Sequence, residues 1–558
     1  MTVFDTGRRA IGLAFEHGRS HVTWMLCLAV CACSQAQQQG PVPTETQSPP
    51  VEVTRPIENG PAARAMPPGS AADSQARPVE ARDGRPPPTL PAVDPGDAAG
   101  EGGAGGTEQG GAPAPADGDA PSDVDNEQAA APPHPTVGWT MMGHDLASTY
   151  WNRAETRLST DNATKLEVAW TERLGGQVLG AALQHGDAIY ASSTEGVYAF
   201  DAATGDSLWM APIPSTSALC YSSGRLLLNT RGGVVALDAQ DGRELWVADL
   251  DPQQTTDGMG SVVVAEGRVL TGSSNGAAEL GSVEFRGFVV ALDEETGDAL
   301  WRTYTVPSDA FGVGVWSTPS VDLEAGRVFT TTGNNYGPPA TDTSDAFMAF
   351  DLKTGDLLWK NQRLSGDTFG GPRLSRGFDQ EFGANPVLYE AAVDGVMTRL
   401  VAAGQKSGEF HALRRDDGEE VWSRALCPGS PIPGGVFTNS SWSGRYLLAA
   451  CNHPGGRDAP ASTLFALDGA TGDVAWSRAL PNYVFGRIAI ANGVGAVGVG
   501  EALELFNTDT GEVLKRFTTE GTVASTITMA NGRVAFGDGL TWHNGKPGGT
   551  LTVLSLPE

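Results

Sequence analysis

Beyond residue 33 the chain has three cysteines, Cys220, Cys427 and Cys451, and none belongs to a Cys-x-x-Cys-His group, so no c-type haem is attached. In an oxidising compartment Cys427 and Cys451 can pair across a loop, leaving Cys220 as a buried thiol, but three cysteines do not fix a connectivity. The histidines, His134, His144, His185 and His411 among them, scatter singly without metal-ligand spacing and read as surface or core residues. No Gly-x-Ser-x-Gly, Walker or Rossmann fingerprint stands in a strand-to-helix context. Charge narrows the partners further: 66 acidic against 37 basic residues give a net −29, which opposes binding to nucleic acid and to anionic lipid. An acidic surface suits solubility first and a cationic protein partner second.

The elements that would have to position any chemistry are written as a repeat. Val197 to Trp209 (VYAFDAATGDSLW) is followed by Val234 to Trp246, Val289 to Trp301, Phe347 to Trp359, Phe410 to Trp422 and Leu464 to Trp476, with a weaker copy at Leu503 to Phe517. Each copy alternates apolar residues, passes through an Asp-x-x-Thr-Gly type turn whose Gly supplies a positive φ, and restarts at an apolar-Trp pair: strand, tight turn, strand. The Trp positions recur every 37 to 63 residues, the period of a propeller blade. Seven copies, with Leu551 to Ser555 as an eighth that lacks its following strand, predict an all-β, eight-bladed β-propeller. Leu166 to Thr171 (LEVAWT), an apolar-Trp ending without a turn before it, is the strand expected to complete the last blade and cover its edge. Seven blades are the competitor, with the weak copy as an insertion.

Ahead of residues 136–558, which hold the propeller, lie two other regions. Residues 1–33 combine Arg8, Arg9 and Arg19 with the apolar run Thr23 to Ala32, too short to span a bilayer, and read as an export signal. Its end, Val30-Cys31-Ala32-Cys33, resembles a bacterial lipoprotein processing site with Cys33 acylated, which implies a periplasmic protein anchored by lipid to the outer membrane of a Gram-negative bacterium and no other membrane contact. Residues 34–135 contain no Phe, Trp, Tyr, Lys or Cys and carry 15 acidic against 5 basic residues, a charge of −10. Such a segment cannot build a core and reads as a disordered tether.

Trp139 to Thr156 (WTMMGHDLASTYWNRAET), the repeated turns, Thr332-Gly333-Asn334-Asn335-Tyr336 and Gly404-Gln405-Lys406-Ser407-Gly408 together resemble the pyrroloquinoline-quinone (PQQ) dependent alcohol dehydrogenases, above all the polyvinyl-alcohol dehydrogenase branch, over about residues 137 to 558. The resemblance implies a metal held by a Glu and an Asn, usually Ca2+, a hard cation that takes oxygen ligands. Here these fall on Glu279, with Glu284 as the alternative, and on Asn334. It implies a flat floor for the quinone at Trp316, a cation over the quinone oxygens at Lys406, and Arg286 near the cofactor in the Arg-Gly that opens a blade strand. The catalytic base falls on Asp379 in Phe378-Asp379-Gln380-Glu381-Phe382-Gly383, with Asp367 as the alternative. Glu381 stands where lanthanide-using relatives carry a further acidic ligand.

The chain lacks the adjacent Cys pair that many relatives place over the quinone. The implied activity is oxidation of a small or polymeric alcohol to a carbonyl, with electrons leaving to a separate acceptor such as a cytochrome c. A second reading comes from a different class, a cofactor-free lipoprotein propeller serving as a scaffold in outer-membrane protein assembly.

Overall fold

The computed structural model describes residues 138–557 except 181, 252–253, 255, 280, 282–283, 371–377, 432, 454–459 and 544. The segments expected to be an export signal, 1–33, and a tether, 34–135, lie outside the described residues. Ala131–Glu558 is one compact unit, an eight-bladed propeller in which every blade carries four antiparallel strands. Blade 1 begins at Leu183–His185 and ends at Ser207–Ala211, and blades 2 to 7 follow in chain order to Val513–Thr518. Blade 8 has Thr528–Ala530 innermost, then Arg533–Gly537 and Thr550–Ser555, and takes Glu167–Arg173 as its outer strand. The weak copy is an ordinary blade: Ala502–Asn507 pairs with Val513–Thr518 in blade 7. Among the described residues no helix is long and apolar enough to cross a membrane.

The repeated motif joins neighbouring blades. Asp201 Oδ1 accepts the N–H groups of Ala203 and Thr204 at 2.9 Å each, and Gly205 turns the chain at φ 80°. The Trp that starts an outer strand packs on the next blade's turn. Trp170 donates its indole N–H to the Ala202 carbonyl at 3.2 Å, and a Cβ on Gly205 would stand 2.8 Å from its ring. Trp209 meets Gly242, Trp246 meets Gly297, Trp301 meets Gly355, Trp359 meets Gly418, Trp422 meets Gly472 and Trp476 meets Gly511 in the same way. Seven joints thus share one pair of residue types, which is why the repeat stands out in sequence. Gly355→Ala puts a methyl 2.5 Å from the Trp301 ring at a φ of 74°. It is expected to cost about 2 kcal/mol or more in guanidinium denaturation. Unchanged stability would mean that the indole yields without loss.

The first strand of each blade lines the axis, where first strands of adjacent blades touch. Inside that ring runs the segment Trp139 to Asn152. It receives backbone N–H groups from Tyr221 to Thr140, Val321 to Leu146, Leu388 to Ala147, Trp442 to Thr149 and Ile490 to Tyr150, and Trp139 bridges to Gln184. Asn152 donates its side-chain amide to the Met529 carbonyl at 2.9 Å, and Trp151–Asn152 adds a short parallel strand inside blade 7. Buried Trp139, Met142 and Tyr150 fill the channel there. Cys427 and Cys451 are disulfide-bonded, and Cys220 is a free buried thiol that burial pushes up to about 12.

Candidate functional site

In antiparallel blades the crossing into a first strand and the connection between second and third strands lie at the same end of the ring. The residues singled out in the sequence sit on these segments in blades 3, 4 and 5. Glu279 ends the one-turn helix Gly276–Glu279, after the second strand of blade 3. Asn334 follows Arg327–Thr331 in blade 4, and Lys406 follows Val396–Gly404 in blade 5. Trp316 lies on the crossing into blade 4, and Asp379 and Glu381 on the crossing into blade 5.

Carboxylate oxygens of Glu279, Asp379 and Glu381 lie within 4.8 Å of one another. Lys406 Nζ donates to Asp379 Oδ1 at 2.6 Å and Glu381 Oε1 at 2.9 Å, and lies 5.2 Å from the centre of the Trp316 ring. The other oxygen of Glu381, Oε2, accepts the Asn334 backbone N–H at 2.9 Å. The Asn334 side-chain N–H2 donates to the carbonyls of Phe369 and Asn335, while its Oδ1 is buried with no partner. An amide oxygen left over beside two buried acids and the half-buried Glu279 is a ready ligand for a hard cation.

Electrostatics say the same. Burial, reinforced by Glu381, pushes Glu279 up to about 8. Burial also lifts Asp379 to about 6 against the opposing pull of Lys406. Burial disfavours the charge on Lys406, but Glu381, Asp379 and Glu279 outweigh it and hold its pKa above the ordinary lysine value. Three acids face one lysine, and a divalent cation would relieve the excess.

The structure separates the sequence candidates. Glu279, Asn334, Trp316, Lys406, Asp379 and Glu381 come together, whereas Glu284 is exposed. Asp367, the alternative base, is buried and committed to backbone: Oδ1 accepts the N–H groups of Phe369 and Phe378 at 3.1 Å, and Oδ2 that of Gln380 at 3.0 Å. It shapes the loop that presents Asp379. Arg286 is engaged elsewhere, 4.1 Å over the Tyr304 ring and donating to the Val306 carbonyl at 2.7 Å.

Several contributors carry no sequence signal because they act only through closeness in space. A Cβ on Gly333 would lie 2.2 Å from Glu381 Oε2, and one on Gly383 would lie 2.0 Å from the Trp316 ring, so both glycines make room for the site. Asp257 accepts the Gly276 N–H at 2.8 Å and the Ser274 hydroxyl, which fixes the turn bearing Glu279.

Asp345 is fully buried, its N–H bonded to the Gly333 carbonyl, and neither carboxyl oxygen has a regular hydrogen-bond partner. Burial, then Asp367 and Glu381, push it up to about 9. A carboxyl with a raised folded pKa keeps its proton while the unfolded chain ionises, so it lowers stability progressively as pH climbs from the ordinary carboxylate range towards 9. Asp345→Asn is therefore expected to flatten that decline and add on the order of 1–3 kcal/mol at pH 8 in EDTA. Melting curves from pH 5 to 9 check it, and parallel curves for both proteins would refute it.

A cavity of about 200 Å³ adjoins the site, with Trp316, Gly383, Phe437, Phe485, Arg487 and Trp542 in its wall and Met142 of the inner segment among its lining. Phe485 packs edge-on against Trp542 at 5.7 Å.

The family described as outer membrane protein assembly factor BamB matches residues 115–287 and 280–482. A polyvinylalcohol dehydrogenase of Pseudomonas sp is 27% identical over 447 residues, 70% of this chain and 69% of that protein. A second, from Sphingopyxis sp. (strain 113P3), is 28% identical over 371 residues, 57% of this chain and 56% of the relative. The crystal structure of quinohemoprotein alcohol dehydrogenase from Comamonas testosteroni aligns with a TM-score of 0.63 at 20% identity, covering 75% of this chain and 82% of that one, a likeness of fold.

Proposed function

The chain belongs to the propeller family described as outer membrane protein assembly factor BamB, and because its site sets two buried carboxylates, the half-buried Glu279, a buried lysine and a free amide oxygen beside an indole, we propose that it is a PQQ-dependent dehydrogenase that oxidises an alcohol to a carbonyl. The single observation that carries this reading is the cluster Glu279–Asp379–Glu381 around Lys406. The relatives named polyvinylalcohol dehydrogenase support it.

The donor set fits a calcium-type cation: Glu279, Glu381 and Asn334 Oδ1 would hold it, all oxygen ligands, and a trivalent lanthanide fits the same acidic set. Trp316, seated on Gly383, offers the flat face on which PQQ would stack. When bound, PQQ supplies a two-electron acceptor for the hydride of the alcohol. Asp379 is the base: Lys406 fixes Oδ1, which leaves Oδ2 to take the hydroxyl proton. Lys406, held charged by its neighbours, stabilises negative charge that develops at the acceptor oxygens. Burial of the cluster keeps bulk water from competing for these contacts.

Export, a lipid anchor at Cys33 and a separate acceptor such as a cytochrome c complete the reading, supported by the apolar run Thr23 to Ala32 and the absence of Cys-x-x-Cys-His. The scaffold alternative draws on the family's description. Against it, gathering Asp379, Glu381 and the half-buried Glu279 around one buried lysine is costly and brings a scaffold nothing in return. The test is to supply the purified protein with PQQ and calcium and follow dye reduction across a panel of alcohols. Saturable turnover is expected; a folded protein that binds no quinone would favour the scaffold.

A further inference from the structure

The crossing from blade 5 into blade 6 opens with Cys427, and seven of the eight residues between it and Val436 (PGSPIPGG) are Pro, Gly or Ser. Such residues bring little apolar surface to bury, so the segment keeps its place through backbone hydrogen bonds and covalent ties.

Those bonds converge on Lys406. The Lys406 carbonyl accepts the Ser430 N–H at 3.1 Å, the Gln405 carbonyl accepts that of Val436 at 3.0 Å, and the Gly408 carbonyl accepts that of Leu426 at 2.9 Å. A Cβ on Gly435 would stand 2.2 Å from the Lys406 carbonyl oxygen and one on Gly429 2.5 Å from that of Ser407, so the loop lies directly on this backbone. From its other side the Lys406 N–H donates to the Glu381 carbonyl at 3.1 Å. The same crossing continues into Phe437, Thr438 and Asn439 in the cavity wall.

Both ends of the loop are tied to one post. Gly435 and Asn452 exchange backbone N–H to carbonyl bonds of 3.0 Å each way, and Cys427 is disulfide-bonded to Cys451, the neighbour of Asn452. That post is the second strand of blade 6, Tyr446–Asn452, buried along its whole length. Cys451 is fully buried and Cys427 half-buried, so a reductant reaches the bond from the Cys427 side. Opening it leaves the Cys427 end with little more than the hydrogen bonds that Leu426 and Cys427 donate to the Gly408 carbonyl.

We propose that the Cys427–Cys451 disulfide positions Lys406 and that its reduction by a dithiol is a switch. Closed, it presses the loop onto residues 405–408 and holds the lysine beside Glu381; open, it lets the lysine leave its fixed place over the Trp316 ring. In the exchange a thiolate of the dithiol attacks Cys427 Sγ, and Cys451 leaves as a thiolate and takes a proton. The second thiol of the reductant then displaces Cys427 from the mixed disulfide, so two electrons pass, the protein gains two thiols and the reductant becomes a cyclic disulfide. The effect on turnover rests on the function proposed above; the effect on the backbone of Lys406 does not.

The experiment uses the full-length protein, oxidised or treated with dithiothreitol, and the double variant Cys427→Ser/Cys451→Ala. Amide hydrogen exchange is read by mass spectrometry with fragmentation, and dye-linked turnover of the forms loaded with PQQ and calcium is measured once the dithiol is removed. Exchange at Lys406, Ser430 and Val436 is expected to quicken by about tenfold or more in the reduced protein and in the double variant. Gly355, bonded to the Asp351 carbonyl in a blade joint, should not change, and oxidised glutathione should restore the reduced wild type. In the double variant kcat should fall by about tenfold or more, with the alcohol's KM little moved. Faster exchange with no quinone bound by any form would keep the positioning role and sink the dehydrogenase reading. Equal exchange in all forms, or full turnover by the loaded double variant, overturns the proposal. So does a bond that resists dithiothreitol in the folded protein. Faster exchange that extends to Gly355, with loss of the near-ultraviolet circular dichroism, also overturns it, because the disulfide would then be a general staple.

Discussion

Asp379→Asn is expected to lower turnover by about 10²–10⁴ while leaving the quinone bound, because the amide keeps the shape of the carboxylate and loses only its ability to take a proton. Asp379 is the one member of the cluster that is held by Lys406 through a single oxygen and is not tied to the backbone of Asn334. Its φ of 50° sets the side chain on a turn that Asp367 holds with three backbone hydrogen bonds. Asp367→Asn should behave differently. It exchanges one acceptor oxygen for a donor facing the Gln380 N–H, so the loop loosens, and both quinone affinity and rate fall together. Spectrophotometric turnover with a parallel quinone titration separates the two cases. An Asp379→Asn protein that turns over at the wild-type rate would remove Asp379 from the role of base.

Lys406→Met is expected to produce the largest loss of stability. The lysine is almost fully buried between Asp379 and Glu381, and removing it leaves two buried carboxylates without their counter-charge. Breaking a buried pair from one side costs about 3–5 kcal/mol. The loss should appear in full in EDTA and shrink when calcium is added, since a divalent cation among Glu279, Glu381 and Asn334 restores the missing positive charge. Guanidinium melts in EDTA and in calcium check this. A deficit of the same size in both would take the cation away from this cluster. Turnover is not expected to return with stability, because calcium replaces the charge of Lys406 but not its position over the Trp316 ring.

The ring of blades was legible in the sequence because its joints reuse one pair of residues. Trp301 and Gly355 meet across a blade boundary as Trp359 and Gly418 do, so the same letters recur at the blade period. The closing strand could be read for a related reason: Glu167–Arg173 carries the Trp of a joint without the turn that precedes it elsewhere. The site was legible only through family resemblance, residue by residue, and unevenly. Trp316, Lys406 and Asp379 meet in space, whereas Arg286 turns to Tyr304. Neither periodicity nor composition can say which way an arginine at the start of a strand will reach. Gly333, Gly383 and Asp257 were invisible because their contributions are distances to residues far along the chain.

The segment Trp139 to Asn152 stoppers the channel from within, with Met142 and Tyr150 as its bulk. A bore blocked in this way cannot be threaded. Under the function proposed above, a long-chain alcohol would have to dip a terminus or a bent stretch into the rim and withdraw by the same route, so each oxidation would end with retreat rather than onward sliding. Attack on a polymer would then be scattered along many molecules instead of marching down one.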